Sequence, residues 1–369
     1  MTKLLILSSD TGEGHNSAAS ALESAGAAAG LQVSVRRPLE ESGRFNRLLA
    51  RFYNALLAHR PQWMWQYFWF IDRCRPNERE IFYSSARDYI RSFLDSEAPD
   101  VLLSVHPMLN HFVQRFIKEE GLKIPCFTFL TDPFPPFWQG WASPYVDRYF
   151  VATAEALQAL TAMGVPAWRI ERVPMPVRRQ FHPLNTSQID ALRRDLKLGE
   201  ADTILINGGA RGGGPVYAVY RRVRQAAAGA NILVVCGRNA RLRRRIENLV
   251  RETNDRRTRV FGFVDDIHRC VAVSDLVLTK PGALSTYEAL ACEVPVLLLG
   301  VRGLMPQESG LFHAATHYDF GFAASRLDDV KDVILQGPGA WNRLRASISH
   351  FYKRSSGQEL IERLQPYHA

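Results

Sequence analysis

Three stretches of this chain combine residue types that can hold anions or move protons. The first, Thr279 to Gly300, reads TKPGALSTYEALACEVPVLLLG. Pro281-Gly282 breaks the apolar run Leu276 to Leu278, and Ser285 followed by Glu288 has the spacing of a helix-opening capping box. Such a turn aims backbone N–H groups at whatever lies above it, which suits an anion. Glu288, one turn into the helix, is a carboxylate able to accept hydrogen bonds from a ribose diol. The same pattern fits an ordinary strand-turn-helix connection in which Glu288 only caps. The second stretch, NGGARGGGP, sets Gly208, Gly209, Gly212, Gly213, Gly214 and Arg211 between the apolar run Thr203 to Ile206 and a helix start at Pro215. Glycines this dense let a backbone wrap a pyrophosphate, although the run matches neither the Walker nor the dinucleotide pattern. The third, SDTGEGHNS, holds Gly12, Gly14 and His15. A neutral imidazole there can take a proton from an attacking hydroxyl; a solvated histidine at a helix start is the alternative.

Other strand ends carry polar groups as well. His106-Pro107 follows Val101 to Val105, Thr131-Asp132 follows Pro125 to Leu130, and Gly237-Arg238-Asn239 follows Ile232 to Cys236. Asp132 before Pro133 also suits a plain turn. The PFPPFWQGWASPY that follows, with Trp138, reads as a lid or an acceptor wall. Gln307-Glu308, after the strand Pro295 to Leu299, can meet a sugar hydroxyl, whereas Asp265-Asp266 at a helix start is not an adequate metal site.

Placing these groups requires strands that alternate with helices. Lys3 to Ser8 is a buried strand, Ser17 to Ala29 an Ala-rich helix, and the alternation continues through helices near Asn77 to Ser96 and Met108 to Glu120. Open α/β sheets bind ligands at the carboxyl ends of their strands, where all the candidate groups fall. Pro174, Pro176, Pro183 and Asn185-Thr186-Ser187 mark a linker, after which the alternation resumes, and Trp341 to Leu364 closes the chain as one or two helices with Gly357 near a break.

At 369 residues, two domains of comparable size are expected. Five widely spaced cysteines fit reduced cytosolic thiols better than a disulfide framework. Met1 to Ser8 runs into a Gly loop and reads as a strand rather than a signal peptide, and no apolar run reaches spanning length. The net charge of +9 suits a phosphate-bearing partner, and Arg36 to Arg91 holds 11 Arg and no Lys against 6 acidic residues. Within it, Phe45, Leu48, Leu49, Phe52, Tyr53, Leu56 and Leu57 recur at helical spacing, and Trp63, Trp65, Tyr67, Phe68, Trp69 and Phe70 crowd eight positions. Aromatics beside arginines favour a membrane headgroup layer; packing on the protein's own core is the other reading.

Taken in order, SSDTGEGHNSAASAL, SVHPM, FLTD, PMPVRRQF, GGARGGGPV, VVCGRN, GFVDDI, TKPGALSTYEAL and PQESG resemble glycosyltransferase family 28, in the branch of monogalactosyldiacylglycerol synthases and processive diacylglycerol glucosyltransferases. The resemblance implies an α/β GT-B fold, two Rossmann-like domains facing a central cleft. Its domains would be 1–182, joined by a returning helix over about 345–369, and 183–344. It further implies an inverting hexosyl transfer from UDP-glucose or UDP-galactose to diacylglycerol or a glycolipid. The enzyme would be peripheral on the cytoplasmic face of the cell membrane, on an anionic surface, with no metal cofactor and no nucleic-acid partner. His15 matches the general base, with Asp132 beside it in the catalytic set. Gly14, Gly212, Gly213, Arg238, Phe263, Val264, Gly282, Ala283, Leu284, Ser285, Glu288, Gln307 and Glu308 match the donor site. His106, Phe52, Trp63, Trp65, Trp69 and Trp138 would face acceptor and membrane. The chain departs from the family after Asp132, where a His followed by Trp is usual, and at Leu311, where an Asn is common. A polyprenyl-linked or soluble acceptor, or a binding protein without turnover, are the alternatives.

Overall fold

The structure, a computed structural model, describes residues 1–10, 13–42, 47–48 and 63–365. The chain folds as two compact units, Met1–Arg179 with Met305–Gly310 and Arg354–Ala369, and Gln180–Leu304 with Leu311–Lys353.

The first unit is built on six parallel strands: β1 (Lys3–Leu7), β2 (Gln32–Arg36), β3 (Val101–Ser104), β4 (Cys126–Phe129), β5 (Arg148–Val151) and β6 (Ile170–Arg172), in spatial order 2-1-3-4-5-6. Strands β3 and β4 are buried at every position and β1 at all but its first, which is why they read as unbroken apolar runs rather than alternating ones. The helix Glu13–Ala28 opens four residues earlier than its Ala-rich sequence suggested. Leu5, Leu7, Leu102, Phe112, Val113 and Phe116 lie in one core beneath the helices Glu80–Glu97 and Pro107–Glu119. The closing helix Gln358–Leu364 packs on the helix Glu13–Ala28 of the same unit; Gly357, at φ 89°, turns the chain into it.

The second unit has β7 (Thr203–Asn207), β8 (Asn231–Val235), β9 (Thr258–Phe261), β10 (Leu276–Thr279), β11 (Val296–Leu299) and β12 (Gly321–Ala324), all parallel, in order 12-11-10-7-8-9. Renumbered from its own first strand this is 3-2-1-4-5-6, the Rossmann order, with the reversal between β7 and β10. Helix starts follow local chemistry. Asn185 and Gln188 form a complete capping box, and the Asn239 side chain accepts from the Leu242 N–H at 3.0 Å. The capping box expected at Ser285 and Glu288 does not form: Gly282 is the N-cap, the helix Ala283–Ala291 begins two residues before Ser285, and the Ser285 hydroxyl donates to the Gly282 carbonyl. The helix Leu327–Phe351 is broken at Gly337, φ 71°, followed by Pro338.

Candidate active site

In the first unit the strand order reverses between β1 and β3, and chain leaving the adjacent carboxyl ends of β1, β3 and β4 brings His15, His106 and Thr131-Asp132 together. The His15 Nδ1 lies 2.7 Å from the Val105 carbonyl oxygen and 3.1 Å from the Thr131 Oγ1. A carbonyl only accepts, so Nδ1 carries the ring proton and the neutral imidazole keeps its lone pair on Nε2. Burial pushes this imidazole down to about 4, against a smaller raising effect of the Val105 bond. It is therefore neutral at physiological pH and basic at Nε2. His106 packs edge-on against it at 4.7 Å between ring centroids; burial, and then the neighbouring His15, hold His106 well below its ordinary value.

Asp132 does not orient His15. Its Oδ2 accepts from the Trp141 indole N–H at 2.9 Å, and its carboxyl is pushed up to about 6 by burial, opposed by the Trp141 bond and reinforced by the charge of Glu308. The Met305–Gly310 segment, expected with the second domain, belongs to this first unit. A Cβ on Gly310 would sit 2.1 Å from the Pro135 carbonyl oxygen, so only glycine allows the segment to lie this close to the loop after Asp132. Glu308 is buried and its Oε2 also accepts from the Met305 N–H at 3.3 Å, at the start of the helix Pro306–His317.

Sequence reading missed the groups that hold this cluster. Main-chain acceptors such as the Val105 carbonyl leave no mark in a sequence. Helix Pro107–Glu119 does carry one: Asn110, His111 and Gln114 are buried among apolar neighbours. Asn110 donates to the Trp141 carbonyl at 3.2 Å, His111 Nε2 lies 2.9 Å from the Gly140 carbonyl, and Gln114 donates to the Phe127 carbonyl at 3.1 Å. Three polar side chains on a buried helix face are costly unless bonded; here Asn110 and His111 fix the turn that carries Trp141, and Gln114 ties the helix to β4. Glu40, also unremarked, accepts from the Ser9 hydroxyl at 2.6 Å and the Asp10 N–H at 2.8 Å, steadying the chain that leaves β1.

In the second unit the loops after β7 and β8 interlock. Gly212, at φ 63°, lies so close to the Cys236 carbonyl that an added Cβ would stand 1.9 Å from its oxygen; Gly237, at φ 53°, approaches the Gly209 carbonyl in the same way. Arg238 N–H donates to the Ala210 carbonyl at 2.8 Å. The Gly212 and Gly213 amides donate within the loop, to the carbonyls of Gly209 and Gly208, so part of the glycine run serves the loop's own packing. Across the β7 and β10 reversal, Ala283, Leu284 and Ser285 form the first turn of their helix, where backbone N–H groups lack intrahelical acceptors. Glu288 is buried in the next turn. The Arg238 guanidinium lies 4.0 Å from the centroid of the half-exposed Phe263 ring, beside Val264.

On the first unit, Trp63, Trp65 and Trp69 are 58, 50 and 66% exposed. Trp138 is buried, its ring laid over Gly140. Gly12, Phe52 and most of the amphipathic stretch Phe45 to Leu57 lie outside the described residues. Among the described residues no helix is long and apolar enough to cross a membrane.

Residues 15–177, which begin at the imidazole and run through His106, Asp132 and Trp141, match the family model of monogalactosyldiacylglycerol (MGDG) synthase. A processive diacylglycerol beta-glucosyltransferase of Bacillus cytotoxicus is 28% identical over 305 residues, 80% of this chain and 76% of that one. The chloroplastic monogalactosyldiacylglycerol synthase of Spinacia oleracea is 30% identical, over 80% of this chain but only 59% of its own length. In sequence the chain is similar to monogalactosyldiacylglycerol synthases and processive diacylglycerol glucosyltransferases. The fold agrees: MurG of Acinetobacter baumannii superposes with a TM-score of 0.65 at 14% identity, over 99% of this chain and 100% of that one. Anabaena HepE, in complex with UDP-glucose, gives 0.60 at 13% identity, over 99 and 100%. Both units thus follow the GT-B architecture of glycosyltransferases. A UDP-GlcNAc 2-epimerase of Neisseria meningitidis also reaches 0.60, so the fold alone does not choose the activity; the likeness in sequence to named glycosyltransferases is what supports a hexosyltransferase.

Proposed function

We propose that the protein transfers a hexose from a UDP-sugar to diacylglycerol or a related glycolipid at a membrane surface, with inversion at the anomeric carbon. The observation that carries this reading is the His15 imidazole, neutral and held through Nδ1 so that Nε2 is the base. Nε2 accepts the proton of the acceptor hydroxyl as the oxygen attacks the anomeric carbon and the bond to UDP breaks on the opposite side. A single displacement of this kind inverts the centre.

The second unit supplies the donor contacts: the first turn at Ala283 to Ser285 faces the diphosphate, Glu288 takes the ribose hydroxyls, and Phe263-Val264 lies near the base. Backbone donors and helix ends stabilise the leaving diphosphate without a metal ion. The exposed Trp63, Trp65 and Trp69 seat the first unit in the headgroup layer of the inner membrane face. The names of the relatives, which include diacylglycerol glucosyltransferases and galactosyldiacylglycerol synthases, support the acceptor but leave glucose and galactose both open as the hexose.

The test is incubation with labelled UDP-glucose or UDP-galactose and diacylglycerol vesicles, read by mass spectrometry, with the anomeric configuration of any product set by NMR. A β-linked glycolipid from one of the donors is expected. Absence of a sugar-lipid product with both donors overturns the proposal.

A further inference from the structure

A cavity of about 350 Å³ in the first unit lies apart from His15 and is lined by Asp72, Arg75, Glu78, Trp138, Gln139 and Ala162, among others. This is the lower end of the volume range of small-molecule sites, about 300–1,000 Å³. Its position is set by the aromatic helix Met64–Cys74. Trp65, Trp69 and Asp72 recur at i, i+4 and i+7, so they run down one stripe of that helix, with two exposed indoles leading to the carboxylate at the cavity. The opposite wall is the turn 138–142, which also carries Trp141 and through it Asp132.

Asp72 has one oxygen to spare. Its carboxylate takes the backbone N–H of Gln139, while Oδ1 is buried with no partner among the described residues. A buried carboxylate oxygen needs a donor, and a ligand hydroxyl supplies one. The other groups suit a molecule that both donates and accepts: the Gln139 amide, the Glu78 carboxylate, and the Arg75 guanidinium, 3.4 Å from Glu78. Two carboxylates against one already paired guanidinium disfavour a phosphate. Among the described residues no group of three His, Cys, Asp or Glu is arranged to hold a metal ion.

We propose that this cavity binds the hexose headgroup of a glycolipid embedded in the membrane on which Trp65 and Trp69 rest, with Asp72 accepting a sugar hydroxyl. The site rests on the membrane-surface reading above and deepens it: the enzyme holds a glycosylated lipid, such as its own product, in a cavity separate from the catalytic cluster.

Co-sedimentation with phosphatidylcholine vesicles, with and without monoglucosyldiacylglycerol, tests the site without relying on turnover. Wild type is expected to bind the glycolipid vesicles about tenfold more tightly, the worth of a charged-acceptor hydrogen bond network. Asp72→Ala, which removes the acceptor, and Ala162→Phe, which fills the cavity from an exposed helix end, each abolish that preference. Equal binding of the two vesicle types by wild type, or a preference retained in either variant, overturns the proposal. Glycolipid preference without any transfer to diacylglycerol would sink the transferase reading and leave this site standing; transfer without the preference does the reverse.

Discussion

The Val105 carbonyl oxygen stands 2.7 Å from His15 Nδ1 and thereby decides which nitrogen of the ring is basic. A carboxylate in that place would raise the imidazole and favour its charged form; a neutral carbonyl leaves burial dominant, and the ring at about 4. His15 therefore stays neutral through the physiological range, at the cost of a weaker base.

The pH dependence follows with a definite sign. A histidine whose folded value is depressed from 6.5 to about 4 resists protonation, so turnover should hold as pH falls below 6.5 and fail as it passes through about 4. A kcat/KM limb near 6 would instead report Asp132, whose carboxyl sits there. The same shift bears on stability: the unfolded chain binds this proton more readily, so the His15 contribution is present above 6.5 and is lost between 6.5 and 4. His15→Ala should keep UDP affinity, lose turnover by at least about 10²-fold, and gain in Tm over wild type as pH falls across that window. Unchanged turnover removes His15 as the base.

Trp141→Phe tests the other half of the cluster. The indole N–H lowers the Asp132 value against burial, so its loss should move any ionisation of Asp132 further up and leave a buried acceptor unpaired. A stability loss of about 1–3 kcal/mol by denaturant unfolding is expected, together with an upward shift of the Asp132 carboxyl signal in an NMR titration. A carboxyl that titrates as in wild type would show that the indole bond does not control it.

The strands, their order of appearance and the chemistry at their ends were legible because buried parallel strands are apolar runs closed by Gly, Pro or polar residues, as at Ser8, His106, Thr131 and Gly208. His15, Glu288 and the glycine loop stand out by type and spacing. Long-range placement was not legible. Nothing near Glu308 announces that its charge acts on Asp132, more than a hundred residues away, and the fit depends on a missing Cβ at Gly310. Ser285 and Glu288 matched a capping box, yet Gly282 took the N-cap, because a serine-to-glutamate spacing inside a helix looks the same as one at its start. Trp138 read as part of a lid or an acceptor wall; that its ring is buried over Gly140 is a contact between neighbours that composition cannot reveal.

Gly212 and Gly213, in the glycine loop after β7 expected to hold the donor, should answer differently to a methyl group. Gly212 combines φ 63° with a Cβ position 1.9 Å from the Cys236 oxygen, whereas at Gly213 nothing lies within 4 Å. Gly212→Ala is expected to lower stability by about 2 kcal/mol or more and to weaken UDP binding with it, by separating the loops after β7 and β8. Gly213→Ala should melt as wild type does, and any affinity it loses then reports the methyl group against the ligand. Equal melting of both variants would contradict the interlocked loops.

The proposed donor site also makes a claim about metal. If helix-end amides at Ala283 to Ser285 and the buried Glu288 carry the diphosphate and ribose, chelation should leave both UDP affinity and turnover unchanged, since no charge on the leaving group depends on an exchangeable ion. Glu288→Ala should in turn weaken UDP about tenfold or more, the worth of a carboxylate that accepts from a diol. The same variant should bind UDP and its 2′,3′-dideoxy analogue alike, because a ribose without hydroxyls has nothing to offer the carboxylate even in wild type. Calorimetry on wild type and variant, each with and without EDTA, separates the two contributions. Activity that collapses on chelation and returns with a divalent ion would transfer the stabilising role from the helix end to a metal.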